Sequence, residues 1–444
     1  MAKSKLIVLV ASLFVVVLPC LLLAADGGLD TSFNRPNGYV LYNGWNRDSY
    51  VGAAVQSDGK ILVSSGINGA SDTDAVVLRY TGSGNPDADF GTNGVATYDG
   101  GSGDDCARLL ALQADSKIVV TGYTQNGTVA NVLTMRYNSD GTLDSTFGTN
   151  GVVTYDSGGR DDYGRSVGIQ ADGKILVAAR STGASTSVAV ILRYNEDGTL
   201  DPAFGTNGIV TYEGGYGNDG FRELVIQTNG RIVVSGYTLT EKDFDVLTAR
   251  YNADGTLDNT FGTNGVATYD GGHGDDGARG VAIQTDGKIV VSGGIDNGTD
   301  QDILVLRYDS NGSPDNTFGT NGVAVYDSGR GNDYGRRLAI QKGNRVIVTG
   351  RSYSGSDYDV LALRYNAYGT LDYSFGAYGV VVLNIGEGND YGEGVAIQAD
   401  HNIVISGGTY NGTDYEIMVL RLLGLGSGGG TGGGCFIKTA AHGF

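Results

Sequence analysis

The chain has 444 residues, of which 75 are glycine and only 5 are proline, and its formal net charge at pH 7 is −19. Nucleic acids and anionic lipids need basic surfaces, so we expect no nucleic-acid partner for a chain this acidic. Its 3 cysteines are too few for a disulfide framework.

Residues 1–25 have the layout of a secretory signal peptide. Lys3 and Lys5 precede an apolar run from Leu6 to Leu18, and small residues stand at Ala24 and Ala25. The alternative is a retained transmembrane anchor, but no basic stop-transfer flank follows. We therefore expect export to the cell surface or the extracellular space, with the periplasm as the other compartment, and no membrane span after cleavage. Loss of the two lysines would bring the net charge to about −21.

The rest of the chain repeats itself every 57 residues without a net insertion. A glutamine series from Gln56 to Gln398 and an arginine series from Arg79 to Arg421 keep this spacing. The clearest marker is a phenylalanine, which recurs at Phe33, Phe90, Phe147, Phe204, Phe261, Phe318 and Phe375. Seven units start near residues 29, 86, 143, 200, 257, 314 and 371. Such a period is typical of a repeat array, so residues 26–423 are predicted to form one domain.

One unit contains four short runs rich in β-forming residues. In the fifth copy these are Val266–Tyr269, Gly280–Gln284, Lys288–Ser292 and Ile303–Tyr308. Asp286-Gly287, between the second and third runs, accepts the positive φ of a tight hairpin turn. No window shows a helical period, which predicts an all-β chain.

Seven units of four strands predict a seven-bladed β-propeller, closed by strands from both termini. The alternative is a β-solenoid, which the repeat length and the antiparallel hairpin turns disfavour. By analogy with propellers of the WD type, the innermost strand of each blade is the Gly280–Gln284 type and the outermost is the Val266–Tyr269 type. Tyr39–Tyr42 is then expected beside Glu416–Leu422, as the outer strand of the blade that begins with Gly394–Gln398.

Three recurring phrases, LDxxFGxxG, IQxDGKIVVxG and LRYNxDGTLD, extend from Leu29 to Leu422. Arranged in tandem behind a signal peptide, they resemble the bacterial delta-sixty repeat family. The resemblance implies a β-propeller on secreted or surface proteins. It implies no established activity, and therefore no functional residues.

Residues 424–444 form a separate tail. Gly426–Gly434 is a flexible linker by composition. The Cys435-Phe436-Ile437 segment that follows resembles the C-F-I-x-T-A-A motif of exported bacterial proteins. This resemblance implies processing or anchoring through Cys435. The alternative is a tail with a free thiol, and both interpretations stay open.

The loop that enters the innermost strand is acidic in nearly every unit, and the loop between the second and third strands is acidic too. We expect the two loops on one face, with carboxylates around the channel mouth. One aspartate occurs in all seven units, at Asp48, Asp105, Asp162, Asp219, Asp276, Asp333 and Asp390. Oxygen ligands of this kind suit Ca²⁺, which makes these residues candidate metal ligands. The favoured alternative is architectural: each aspartate caps a turn, or pairs with the arginine that stands three residues later in five copies.

Chemistry beyond metal binding has little support in the sequence. Tyr163, Tyr334 and Tyr391 follow the shared aspartate, and their rings are candidates for stacking on a sugar or a peptide. The three histidines occupy unrelated positions in the repeat, and no catalytic motif is recognisable. We therefore predict a monomeric, non-catalytic binding or scaffold propeller that recognises a protein or a glycan through its acidic loop face. The alternative is a glycan-active hydrolase or lyase that uses the channel mouth.

Overall fold

The computed structural model describes residues 25–45, 50–101 and 103–424. The predicted signal peptide up to residue 24, Asp48 of the aspartate series, and the tail with Cys435 lie outside the described residues. The described residues form strands and turns without a helix. No helix long and apolar enough to cross a membrane occurs among them.

The described residues form 28 strands, numbered here in chain order, in seven four-stranded sheets. The innermost strands are β2 (Gly52–Val55), β6 (Asp105–Leu112), β10 (Asp161–Ile169), β14 (Asp219–Ile226), β18 (Gly277–Ile283), β22 (Asp333–Gln341) and β26 (Asp390–Ile397). The second strands are β3 (Ile61–Asn68), β7 (Ile118–Asn126), β11 (Ile175–Thr182), β15 (Ile232–Leu239), β19 (Ile289–Asp296), β23 (Arg345–Tyr353) and β27 (Ile403–Tyr410).

The two outer strands of each sheet complete the set. The third strands are β4 (Thr73–Tyr80), β8 (Val129–Tyr137), β12 (Ser187–Tyr194), β16 (Phe244–Tyr251), β20 (Gln301–Tyr308), β24 (Tyr358–Tyr365) and β28 (Tyr415–Leu422). The outermost strands are β5 (Val95–Tyr98), β9 (Val152–Tyr155), β13 (Ile209–Tyr212), β17 (Val266–Tyr269), β21 (Val323–Tyr326), β25 (Val380–Leu383) and β1 (Tyr39–Asn43).

Each sheet is one blade of a seven-bladed β-propeller, as predicted. Within a blade, neighbouring strands are antiparallel and follow the chain outward, for example β18-β19-β20-β21 in blade 5. Blade 7 has the order β26-β27-β28-β1, so its outermost strand comes from the other end of the chain. Tyr39 pairs with Leu420 and Asn43 with Glu416. The predicted closure by strands from both termini is confirmed, and it removes an exposed sheet edge.

The repeated phenylalanine lies in the core, and its neighbours in the repeat explain why it recurs. Phe90 is fully buried, and the guanidinium of Arg79 stacks over its ring at 4.5 Å. Arg79 also donates from Nε to Asp87 at 2.6 Å. Gly91 follows with φ +52°, and a Cβ there would collide with the carbonyl oxygen of Val95, so only glycine fits. The phrase is therefore an architectural unit.

Candidate functional site

The innermost strands carry a β-bulge at the same place in blades 2 to 7. In blade 2, Ala107 pairs with Gly122 and Leu109 pairs with Thr121, which leaves Arg108 as the extra residue. A bulge re-aims the side chain it carries. The bulged positions all line one central pocket and are occupied by Arg108, Arg165, Arg222, Arg279, Arg336 with Arg337, and Glu393. We call these six arginines the arginine ring.

Blade 1 contributes Tyr50 to the same pocket, just before β2. The guanidinium carbons of Arg108 and Arg165 lie 5.0 and 5.7 Å from the centroid of its ring. On another side, Arg279 Nη1 lies 3.5 Å from the phenol oxygen. Tyr50 therefore sits among guanidinium groups from several blades at the axis of the propeller.

The arginine ring is only partly neutralised. Glu393 Oε1 lies 3.2 Å from Arg336 Nε, and Glu223 Oε1 lies 2.9 Å from Arg337 Nη1. Arg108 is 6% exposed, yet its Nε and Nη1 have no hydrogen-bond partner among the described residues. Buried donors without partners are costly, and an anionic ligand would satisfy them.

Titration of the pocket reflects the crowding of positive charge. Burial opposes ionisation of Tyr50, but Arg222, Arg279, Arg336 and Arg108 together lower its pKa to about 7. Repulsion from Arg336, with burial and Arg222 adding to it, lowers the pKa of Arg279 to about 9. Both shifts have the direction expected of a site that favours negative charge.

A wider cleft of about 450 Å³ opens beside Arg222 and Arg279. A volume of this order suits a small ligand. Among its lining residues, Tyr237 packs edge-on against Phe244 at 5.3 Å and lies under the guanidinium of Arg222 at 5.1 Å. Arg180 donates from Nη1 to the phenol oxygen of Tyr237 at 2.8 Å. The cleft therefore joins aromatic rings to the arginine ring.

The shared aspartates do not line the central pocket, although Asp276 lines the adjoining cleft. The six that the structure describes are buried near the start of the innermost strands, and several accept a hydrogen bond from the backbone N–H five residues earlier. Asp162 Oδ2 accepts from Ser157 at 2.6 Å, and Asp219 Oδ2 accepts from Gly214 at 2.6 Å. Turn capping is thus the contact that they make. No ion pair joins them to the arginines three residues later within the described ranges, because the bulge turns those arginines toward the axis. The central pocket is therefore lined by arginines and not by the shared aspartates.

In blades 2 to 7, the residue before the shared aspartate links neighbouring blades, a role that we did not predict. Asp104 Oδ1 accepts from the backbone N–H of Thr73 at 2.9 Å, and Asn332 Oδ1 accepts from that of Gln301 at 2.9 Å. Every such bond joins residues 31 positions apart. A signal was present in the sequence, since this position is aspartate or asparagine in six of the seven units and arginine, Arg47, only in the first. The six are Asp104, Asp161, Asn218, Asp275, Asn332 and Asn389.

The three candidate stacking tyrosines have different surroundings. Tyr163 packs edge-on against Tyr123 at 5.2 Å and lies beside the guanidinium of Arg108. Tyr334 lines the cleft. Tyr391 is only 4% exposed and packs against Trp45, so its ring belongs to the core. The structure brings Tyr163 and Tyr334 toward the site but buries Tyr391, because Trp45 from the closing segment covers it.

Comparison with known proteins supports a β-propeller repeat family. Six segments match the family described as "Domain of unknown function (DUF5122) beta-propeller", at residues 56–90, 113–147, 170–204, 227–261, 284–318 and 341–375. Each matched segment runs from the repeated glutamine to the repeated phenylalanine. No curated protein matches the chain in sequence.

Solved structures resemble the chain at low sequence identity. A polysaccharide lyase, Uly1, is 10% identical over 84% of this chain and 89% of its own, with a TM-score of 0.48. Drosophila Semaphorin 1b, extracellular domains 1-2, is 11% identical over 86% of each chain, with a TM-score of 0.45. An ulvan lyase of family PL25, bound to -[GlcA(1-4)Rha3S]-, is 12% identical over 87% and 96%, with a TM-score of 0.43. We draw no functional argument from likenesses at this level.

Proposed function

We propose that this protein is an exported, non-catalytic binding propeller that recognises an anionic glycan at its central channel. The observation that carries the proposal is the arginine ring, in which Arg108 and Arg165 are more than nine-tenths buried and keep unpartnered N–H groups. Export rests on the signal-peptide layout of residues 1–25.

The chemistry of the pocket favours carboxylate or sulfate groups. Guanidinium forks match such groups in a bidentate manner and are less strongly hydrated than lysine ammonium groups. Tyr237 and Tyr334 in the adjoining cleft supply ring faces of the kind on which sugars stack. The acidic loop face remains a second binding mode for cationic partners, but we favour the channel because its donors are left unsatisfied.

The position of the pocket on the propeller axis predicts one ligand per chain, although the sequence repeats seven times. Calorimetric titration of the chain from residue 26 onward with acidic oligosaccharides (uronate and sulfated series) tests this. We expect a stoichiometry of one and no binding of neutral oligosaccharides of equal length. Equal affinity for the neutral series would contradict the proposal.

A double variant, Arg222→Gln with Arg279→Gln, should weaken binding of the acidic oligosaccharide about tenfold or more, since each charged hydrogen bond contributes about 1.5–3 kcal/mol. Arg330→Gln is the matched control, because Arg330 is exposed and does not line the pocket. A similar loss in the control would show that overall charge, and not the ring, determines affinity.

The second candidate function is a glycan-active hydrolase or lyase that uses the channel mouth. The observation that favours it is Tyr50, whose pKa of about 7 would supply a phenolate base at neutral pH. Incubation with polyuronates, followed by an assay for new reducing ends, separates the two functions. Cleavage that Tyr50→Phe abolishes would establish the enzyme, whereas binding without cleavage supports the binding propeller.

A further inference from the structure

Among the described residues, two groups of three aspartates lie at the junctions between blades. One consists of Asp245, Asp270 and Asp276, and the other of Asp302, Asp327 and Asp333, exactly one repeat later. In each group, carboxylate oxygens from the three residues lie within 4.8 Å of one another. We call them the acid triads.

Each acid triad draws its ligands from two blades. Asp245 lies in β16 and Asp270 directly follows β17, both in blade 4, whereas Asp276 directly precedes β18 of blade 5. The blades are already joined here, because the backbone N–H of Asp276 donates to the carbonyl of Phe244 at 2.7 Å. The second triad has the same arrangement between blades 5 and 6.

The negative charge of the acid triads is not compensated by the protein. Asp245 is 8% exposed and Asp302 is 4% exposed, yet Oδ1 of each has no hydrogen-bond partner. No lysine, arginine or histidine nitrogen of the described residues forms an ion pair with any of the six carboxylates within 4.0 Å. Other oxygens of the acid triads do accept hydrogen bonds, as Asp302 Oδ2 does from Asn297 Nδ2 at 2.8 Å. The buried carboxylate oxygens that lack a partner point to a missing cation.

We propose that each acid triad binds one calcium ion, which links blade 4 to blade 5 and blade 5 to blade 6. Calcium takes oxygen ligands at about 2.3–2.6 Å, so two oxygens on the same ion lie no more than about 5 Å apart. The observed spacing meets this condition. Backbone carbonyls and water would complete the coordination shell. This inference is independent of the proposed glycan binding.

The repeat also provides a natural contrast at the junction between blades 3 and 4. There Val188 and Glu213 of blade 3 stand where blade 4 has Asp245 and Asp270, and only the third aspartate is retained, as Asp219. A valine cannot ligate calcium. The proposed calcium binding therefore requires three converging carboxylates and not the shared aspartate alone. Asp74, Asp99 and Asp105 occupy the same positions between blades 1 and 2, but among the described residues only the two acid triads bring three oxygens within 4.8 Å of one another. This requirement distinguishes the inference from the expected metal site at all seven copies.

Calcium titration of the chelator-stripped chain from residue 26 onward tests the inference by calorimetry. We expect two ions per chain in the wild type, one in Asp245→Asn, one in Asp302→Asn, and about tenfold weaker binding or none in the double variant. Glu213→Gln is the matched control, because it makes the same change of charge at a junction without a triad, and it should keep two ions.

Thermal unfolding gives a second readout that does not depend on the calorimetric signal. Calcium should raise the melting temperature of the wild type and of Glu213→Gln, but raise that of the double variant far less. Melting curves without calcium show whether each variant folds. No binding by the folded wild type, or a stoichiometry unchanged in the folded double variant, would overturn the proposal.

Discussion

Arg421 donates from Nε to Oδ2 of Asp30 at 2.7 Å, although 391 positions of chain separate the two residues. The equivalent pairs elsewhere, such as Arg136 with Asp144, join residues only 8 positions apart. The arginine at the end of the last repeat therefore pairs with the aspartate at the start of the first repeat. This bond closes the ring side chain to side chain, just as β1 closes blade 7 strand to strand.

Asp30→Asn should destabilise the closed ring by about 3–5 kcal/mol, because it leaves the buried guanidinium of Arg421 without its counter-charge. Urea unfolding measures the loss. Asp144→Asn is the matched variant inside the array and should lose a similar amount. If Asp30→Asn left the free energy of unfolding unchanged while Asp144→Asn lowered it, ring closure would contribute little to stability.

Deletion of residues 29–44 removes both Asp30 and β1. We expect a sharp fall in the melting temperature, because β28 becomes an exposed sheet edge. Differential scanning calorimetry of the deleted and intact chains measures the effect. An unchanged melting temperature would contradict the strand order of blade 7.

Asp162→Asn should lower the free energy of unfolding by about 1–3 kcal/mol, since the carboxylate accepts hydrogen bonds from Ser157. In the presence of a chelator, Asp276→Asn should lower the free energy of unfolding by less than Asp162→Asn does. The reason is that the substitution also relieves the repulsion between carboxylates within its acid triad. Added calcium should reverse this order, because Asp162→Asn keeps both acid triads whereas Asp276→Asn loses a ligand of one. Urea midpoints of both variants, with chelator and with calcium, provide the comparison.

Tyr50 should ionise near pH 7, well below ordinary tyrosines. Because the pKa of this acid is lower in the folded chain than its ordinary value of about 10, its ionisation stabilises the fold fully above about pH 10. The gain declines as pH falls below about 10 and is lost as pH falls through about 7. Near-ultraviolet absorbance of the phenolate should show a titration step there that is absent in Tyr50→Phe. A first step only near pH 10 in both proteins would refute the prediction.

Arg279→Gln should leave stability unchanged or raise it at low ionic strength, because Arg336 and Arg222 repel the guanidinium that it removes. The same substitution should reduce the stabilisation produced by sulfate, which satisfies the remaining ring donors in the wild type. Melting temperatures of the wild type, Arg279→Gln and the control Arg330→Gln are measured with and without sulfate. The control separates the local effect of sulfate at the arginine ring from the general stabilising action of the salt.

Much of the fold follows from the sequence because its determinants are local and repeated. The 57-residue spacing of Phe33 to Phe375, the tight turns and the alternating strand runs predicted seven blades of four strands. The pairing of Tyr39–Asn43 with Tyr415–Leu422 was also predictable, since a propeller must cover its last edge. Each of these features depends on residues close together in the chain, or on a rule that every closed ring obeys.

The candidate sites depend on tertiary structure. Arg108 and its equivalents recur visibly in the sequence. Only the bulge in the innermost strand directs their side chains to the propeller axis. There, because the ring of blades is closed, side chains that lie 57 residues apart in the chain line one pocket. Tyr50 has no counterpart in the other units, so no periodicity marked it. The acid triads likewise combine Asp245 and Asp270 of one blade with Asp276 of the next. Local sequence determines the structure of each blade. The charged side chains of different blades come together only because the blades pack around a common axis, and their positions decide where ligands can bind.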